Sequence, residues 1–231
     1  MASFVRITLD GRACLAEEGA QLVAAAKECG VYIPTLCNYP GIPPKGACRI
    51  CTVLVNGIPH TACTTKVVED MNVVTSTPEL EAFRKSVVEI LLAEGNHLCP
   101  ICERSGNCEL QALAYRYRVT VSAFPYLFPI RDVEAWHPKL VKDHNRCIQC
   151  KRCIRGIHNA QGQAIFAFGK RGDKVVINID RETSRNISDE LAQQAMDICP
   201  VGAILRKGKG FDTPIGRRTY DHAPIGSEVA P

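Results

Sequence analysis

The chain has 231 residues, 46% of them hydrophobic, with 28 Lys and Arg against 24 Asp and Glu and a formal net charge of +4. That length holds one or two domains, and the charge is too small to argue for nucleic acid. No apolar run nears the roughly 20 residues of a membrane span, and MASFVRITLD at the start has no apolar leader segment, so a cytoplasmic chain with no membrane span is expected.

Residues 3–9 alternate as a strand does, Asp10-Gly11 signals a hairpin, and residues 12–16 return as its second strand. The alanine-rich stretch 19–29 favours a helix stopped at Gly30. A short strand over 51–55 ends at Asn56-Gly57, giving a small α+β domain over 1–77. Ser76-Thr77-Pro78-Glu79 starts a helix. On it Leu80, Phe83, Val87, Ile90 and Leu91 share one face, expected to pack into a core, and the second domain runs over 78–118. Residues 119–138 contain three prolines and read as an irregular linker. The third domain, 139–205, holds strands at 164–170 and 174–180 around Arg171-Gly172-Asp173, then a helix over 188–196. Residues 206–231 are basic and rich in Gly and Pro, and are expected to extend over a partner.

The thirteen cysteines stand in short-spaced groups, which in a reducing compartment points to metal rather than to disulfides. Cys37, Cys48, Cys51 and Cys63 follow C-x10-C-x2-C-x11-C. Four thiolates suit a [2Fe–2S] unit, with two sulfurs on each iron; a four-cysteine zinc site uses the same ligands but is usually built from two C-x2-C pairs. Next come Cys99, Cys102 and Cys108, enough for three corners of a [4Fe–4S] cube. His97 either takes the fourth corner or simply hydrogen-bonds the last carbonyls of the preceding helix.

Cys147, Cys150 and Cys153 keep the C-x2-C-x2-C rhythm of bacterial ferredoxins, yet Ile157 stands where the next cysteine would be. In two-cluster ferredoxins the fourth cysteine of each run, followed by proline, ligates the other cluster. Cys199-Pro200 therefore reads as the tail of a second motif whose other cysteines are gone, and Cys199 completes a [4Fe–4S] site with Cys147, Cys150 and Cys153. Cys14 and Cys29 are left over and read as small packed hydrophobes. Lys151, Arg152 and Arg155 either offset thiolate charge at this site or form a solvated or partner-facing surface. Gly208-x-Gly210-x-x-Thr213 lacks the third glycine and the flanking strand of a dinucleotide loop.

The three motifs in this order resemble the N-terminal iron–sulfur region of the large complex I subunit, shared with iron-only hydrogenases and NAD-linked formate dehydrogenases. A free-standing version of this size is similar to the small diaphorase subunits of NAD-reducing [NiFe] hydrogenases. The resemblance covers about residues 3–205. It implies a β-grasp [2Fe–2S] domain, a small helical [4Fe–4S] domain with His97 as a ligand, and a ferredoxin-like α+β domain. The cofactors implied are one [2Fe–2S] and two [4Fe–4S] clusters. The implied partners, in a hetero-oligomer, are a flavoprotein subunit with FMN and the NAD site, and the small and large [NiFe] hydrogenase subunits. The [2Fe–2S] end would then lie nearest the flavoprotein. The implied role is electron transfer without a substrate site, in a hydrogen:NAD+ oxidoreductase. The competing readings are the equivalent subunit of a formate dehydrogenase or bifurcating complex, and a zinc-bound structural adaptor.

Overall fold

Strand β1 (Phe4–Leu9) buries Val5, Ile7 and Leu9 and turns the residues between them outward; each such side chain contributes about 1.5–3 kcal/mol when removed from water. Asp10 and Gly11 both have positive φ, as a two-residue hairpin turn demands, and β2 (Arg12–Glu17) pairs back antiparallel. The computed structural model describes residues 3–229; residues 1–2 and 230–231, the outer ends of the expected first domain and tail, lie outside the described residues.

Helix α1 (Leu22–Glu28) starts later than expected, because Gln21 forms a β-bridge with Lys66. Strands β3 (Thr52–Val55), β4 (Ile58–Thr61) and β5 (Asn72–Val74) complete a five-stranded sheet of order β2-β1-β5-β3-β4, in which β1 and β5 are parallel. Val5, Ile7, Leu9, Leu22 and Val53 form one core there, together with Cys51 and Cys63. Cys14 on β2 and Cys29 at the end of α1 are joined by a disulfide, their Cα atoms 6.2 Å apart. This corrects the reading of them as packed hydrophobes: the hairpin and the helix place two otherwise unrelated positions within bridging range.

Helix α2 (Pro78–Ala93) begins where expected, the Thr77 hydroxyl accepting from the Leu80 N–H. Its buried face is only partly the expected one: Leu80 is buried and Val87 and Leu91 pack half-buried against the core. Leu80, Arg84 and Val88 are buried, whereas Phe83 and Ile90 are 40% and 45% exposed. Arg84 turns inward because it donates to the carbonyls of Ile50 (3.3 Å), Thr52 (2.9 Å) and Thr75 (2.7 Å) and pairs with Glu81. Hydrogen bonding by Arg84 acts beside apolar packing in setting this helix's rotation.

Helix α3 (Glu109–Arg116) follows. Residues 119–138 are irregular but not a free linker. Leu127 N–H donates to Ala93 O, and the segment ends in β6 (Val133–Glu134). With β7 (Leu140–Asp143) and β10 (Ile204–Arg206), β6 makes a three-stranded sheet of order β10-β7-β6. Helices α4 (Arg152–Gly156) and α5 (Asp189–Ile198) belong to the same region, α5 capped by Ser188. The expected strand pair is the hairpin β8 (Phe166–Gly169) and β9 (Val176–Ile179). Residues from α3, α4, α5 and β10 share a second core with Leu36 and Ile50.

The tail does not extend away. Tyr220 N–H donates to Gly106 O (2.9 Å), Thr219 to Asn107 Oδ1 (2.8 Å), and Arg116 to Ile225 O (2.9 Å). Ile225 and Val229 are buried. The tail therefore clasps the loop before Cys108 of its own chain. Among the described residues no helix is long and apolar enough to cross a membrane.

Candidate metal centres

The first cysteine group lies on the loops at one end of the five-stranded sheet. Cys37, Cys51 and Cys63 are buried and Cys48 half-buried. Arg49 and Gly46 take positive φ, folding the 46–51 loop tightly around the C-x2-C pair. The four thiols bear on one another directly. Cys37 is held far below the ordinary thiol range by hydrogen bonds from Cys48 and Cys63, and Cys51 is lowered by Cys63. Cys48 and Cys63 are pushed well above it, first by Cys37. Sulfurs this close cannot all shed their protons unless positive charge enters among them. That fits a metal-thiolate centre.

Cys99, Cys102 and Cys108 of the second group come from a 3-10 turn (Cys99–Ile101), the loop after it, and the cap of α3. The Cys108 sulfur accepts from the Gln111 N–H at 3.5 Å, where the partial positive charge of a helix N-terminus favours a thiolate. Burial pushes its thiol up to about 12, so metal must displace that proton. Arg146 donates to Cys102 Sγ at 3.6 Å and is held by Glu103 (2.7 Å) and Asp143 (2.9 Å). His97 sits beyond the end of α2. Burial, opposed by a hydrogen bond to Leu91 O, lowers its pKa to about 4, and Arg146 acts on it as well. The ring is thus neutral at pH 7, the form that ligates metal. A second nitrogen hydrogen-bonded to a carbonyl is common in ligating histidines. A neutral His97 near the Leu91 carbonyl is compatible with either of its two sequence readings.

Cys147, Cys150 and Cys153 lie on the loop into α4, where Gln149 and Lys151 take positive φ; Cys199 caps α5. Burial raises Cys150 to about 12, and it raises Cys153 and Cys199 as well. Backbone N–H groups of Arg152, Val201 and Ala203 point to the sulfurs of Cys150 and Cys199, as in a cage built for thiolates. Lys142 is 1% exposed, and its Nζ has no hydrogen-bond partner. Burial alone would lower its pKa, but the sulfurs of Cys147, Cys199 and Cys153 outweigh burial and raise it. A buried ammonium whose anionic neighbours are sulfurs and not carboxylates fits a site that holds an anionic cluster.

The third group touches both others. Arg155 on α4 donates to Cys37 O (2.6 Å) and to Pro43 O. Cys48, Cys147 and Cys150 line one cavity of about 440 Å³, walled by Phe83 and Ile90. On the other side, Glu109 N–H donates to Pro200 O (2.9 Å), and Arg152 forms a bidentate pair with Glu109 at 2.6 and 2.7 Å. Arg152 is buried and lies 5.3 Å from the Tyr39 ring. Arg152 and Arg155 are thus inter-site bridges, not the solvated surface that was one of their two sequence readings. Sequence reasoning did not find Lys142, Arg146 or Gly202. Each lies outside the cysteine motifs, and only the apolar neighbours of Lys142 on β7 hint that it is buried.

Gly202 packs so closely that an added Cβ would lie 2.6 Å from Cys102 Sγ. Gly202→Ala should therefore disturb the second cluster's EPR line shape, although residue 202 follows the last cysteine of the third group. An unchanged second-cluster spectrum would mean that the loop yields freely.

The described features match known proteins throughout. Residues 2–78 match the 2Fe-2S iron-sulfur cluster binding domain. Residues 84–123 match the NADH-ubiquinone oxidoreductase-G iron-sulfur binding region, and 137–205 the ferredoxin-like domain of NADH-quinone oxidoreductase subunit 3. The mitochondrial NADH-ubiquinone oxidoreductase 78 kDa subunit of Candida albicans is 34% identical over 90% of this chain, which spans 29% of that relative. A chain of the crystal structure of NAD+-reducing [NiFe]-hydrogenase in the H2-reduced state superposes with a TM-score of 0.87 at 37% identity, covering 98% of this chain and 99% of that one. The NAD-reducing hydrogenase HoxS subunit gamma of Cupriavidus necator is 47% identical over 94% of this chain and 93% of its own length. On that likeness, end to end, the chain belongs to the family of gamma subunits of NAD-reducing hydrogenases.

Proposed function

We propose that this chain relays single electrons through one [2Fe–2S] and two [4Fe–4S] clusters, between a flavoprotein subunit carrying FMN and NAD and the small and large [NiFe] hydrogenase subunits. The contact of the third cysteine group with both others carries the reading, because it joins three sites into one path. Cys37, Cys48, Cys51 and Cys63 hold the [2Fe–2S] unit in a β-grasp domain. His97, Cys99, Cys102 and Cys108 hold one [4Fe–4S] unit, and Cys147, Cys150, Cys153 and Cys199 hold the other, in a ferredoxin-like domain. When bound, the clusters supply stepwise one-electron transfer. The chain's own residues hold them, exclude water and set the charge around them. Hydride chemistry at NAD belongs to the flavin. The complex works in the cytoplasm.

Anaerobically purified protein should carry about ten irons and as many labile sulfides per chain. Alone it should neither oxidise hydrogen nor reduce NAD+. Added to a flavoprotein and hydrogenase pair lacking it, it should restore hydrogen-dependent NADH formation, while dye-linked half-reactions need it far less. Full NADH formation without this subunit, or stoichiometric zinc with no labile sulfide, would end the reading.

A further inference from the structure

Lys142 is the central residue of a strand that the sheet leaves no freedom to move. On β7 it pairs with Ile204 on one side and Glu134 on the other, and it is among the largest fully buried side chains described. The cross-strand carboxylate does not serve as its partner. Glu134 accepts from the Ile179 N–H at 2.8 Å through one oxygen and lies 3.8 Å from His144 Nε2 with the other. The His144 ring is held neutral, its pKa lowered to about 4 by burial and then by Lys142 itself. No carboxylate lies within ion-pair distance of Lys142 among the described residues, and the anionic groups that act on it are the sulfurs of Cys147, Cys199 and Cys153.

The other buried cations near cysteines are each neutralised. Arg152 is matched by Glu109, and Arg146 by Glu103 and Asp143. Lys142, 1% exposed, has no ion-pair partner among the described residues, and its charge falls at the third site.

We propose that the Lys142 ammonium is the built-in counter-charge of the third [4Fe–4S] cluster, raising that cluster's midpoint potential. Reduction adds one electron to the core, drawn from a neighbouring site, with no bond made or broken. The reduced core is more negative by one charge, so a fixed cation beside its thiolates stabilises that form more than the oxidised one.

The inference rests on the electron-relay reading, and one experiment separates their failures. EPR-monitored redox titration of the anaerobic full-length holoprotein is run for wild type, Lys142→Met, Lys142→Gln and Lys142→Arg. The third-cluster signal is identified as the one lost in Cys147→Ser. The Met and Gln variants should shift that midpoint to lower potential and leave the other two clusters unmoved, and Arg should restore it. Loss of this cluster from the Met and Gln proteins but not from Arg also supports the counter-charge. An unchanged midpoint in Met and Gln overturns it, as does loss of the cluster in all three variants, which would make the lysine's shape the requirement. Absence of three cluster signals from the wild type would instead sink the relay reading.

Discussion

Cys199→Ser is expected to remove the same [4Fe–4S] cluster as Cys147→Ser, lowering iron by about four atoms per chain and abolishing one EPR signal while the other two persist. The two residues are 52 positions apart in the chain, yet the Cys199 sulfur bears on Cys150, Cys153 and Lys142 together with Cys147. Serine offers a harder, more basic oxygen that stays protonated at neutral pH, so it is a poor substitute for thiolate on iron. Because this site links the other two, either variant should also cut hydrogen-dependent NADH formation in the reconstituted complex to background. Ile157, at the position a two-cluster ferredoxin would give to cysteine, is 2% exposed in the same apolar core as Ile165, Phe166 and Ile177. Packed hydrocarbon occupies its surroundings, so no second ligand is at hand there to rescue the loss. A Cys199→Ser protein that keeps the signal missing from Cys147→Ser would break the pairing.

The second large effect belongs to stability. The Arg152–Glu109 pair is lopsided: the arginine side chain is 2% exposed and the glutamate 23%. Removing one partner of a buried pair costs about 3–5 kcal/mol, because the other charge is stranded. Glu109→Ala strands the guanidinium away from water and should cost the full amount. Arg152→Met leaves a carboxylate that can reach solvent, and should cost less. The double variant Arg152→Met/Glu109→Leu should recover much of the loss, as apolar replacements of buried pairs commonly do. Thermal unfolding of the holoprotein, read by loss of cluster absorbance, ranks the three. An Arg152→Met protein less stable than Glu109→Ala would show that the contact with Tyr39 and the bond to Ile198 O, not the ion pair, dominate.

The cysteine groups were legible because ligand spacing is local in sequence, and Cys199 because its proline marks the end of a known pattern. Strands β1 and β2 and the start of α2 were legible for the same reason: alternation, turn residues and caps act over a few positions. Arg84 was not, since its rotation into the interior answers carbonyls from residues 50, 52 and 75. Lys142 was not, since a lysine in a strand reads as solvent-facing until the sulfurs around it are known. The disulfide and the folded-back tail share that limit, each depending on partners far along the chain. Contact between the third group and the first was invisible for a further reason: cysteine order along the chain says nothing about which loops meet.

The division of apolar packing between two cores bears on how such a subunit can be recombined. The irregular stretch over 119–138 looks like a natural seam, yet α3 before it and α4, α5 and β10 after it bury their side chains together. A chimera joined there would expose both halves of one interior. A joint near Thr77 also cuts that interior, to which Leu36 and Ile50 belong, and strips Ile50, Thr52 and Thr75 of the donor that α2 supplies. Residues 3–229 are therefore a single unit of inheritance, exchangeable between enzymes as a whole and not in thirds.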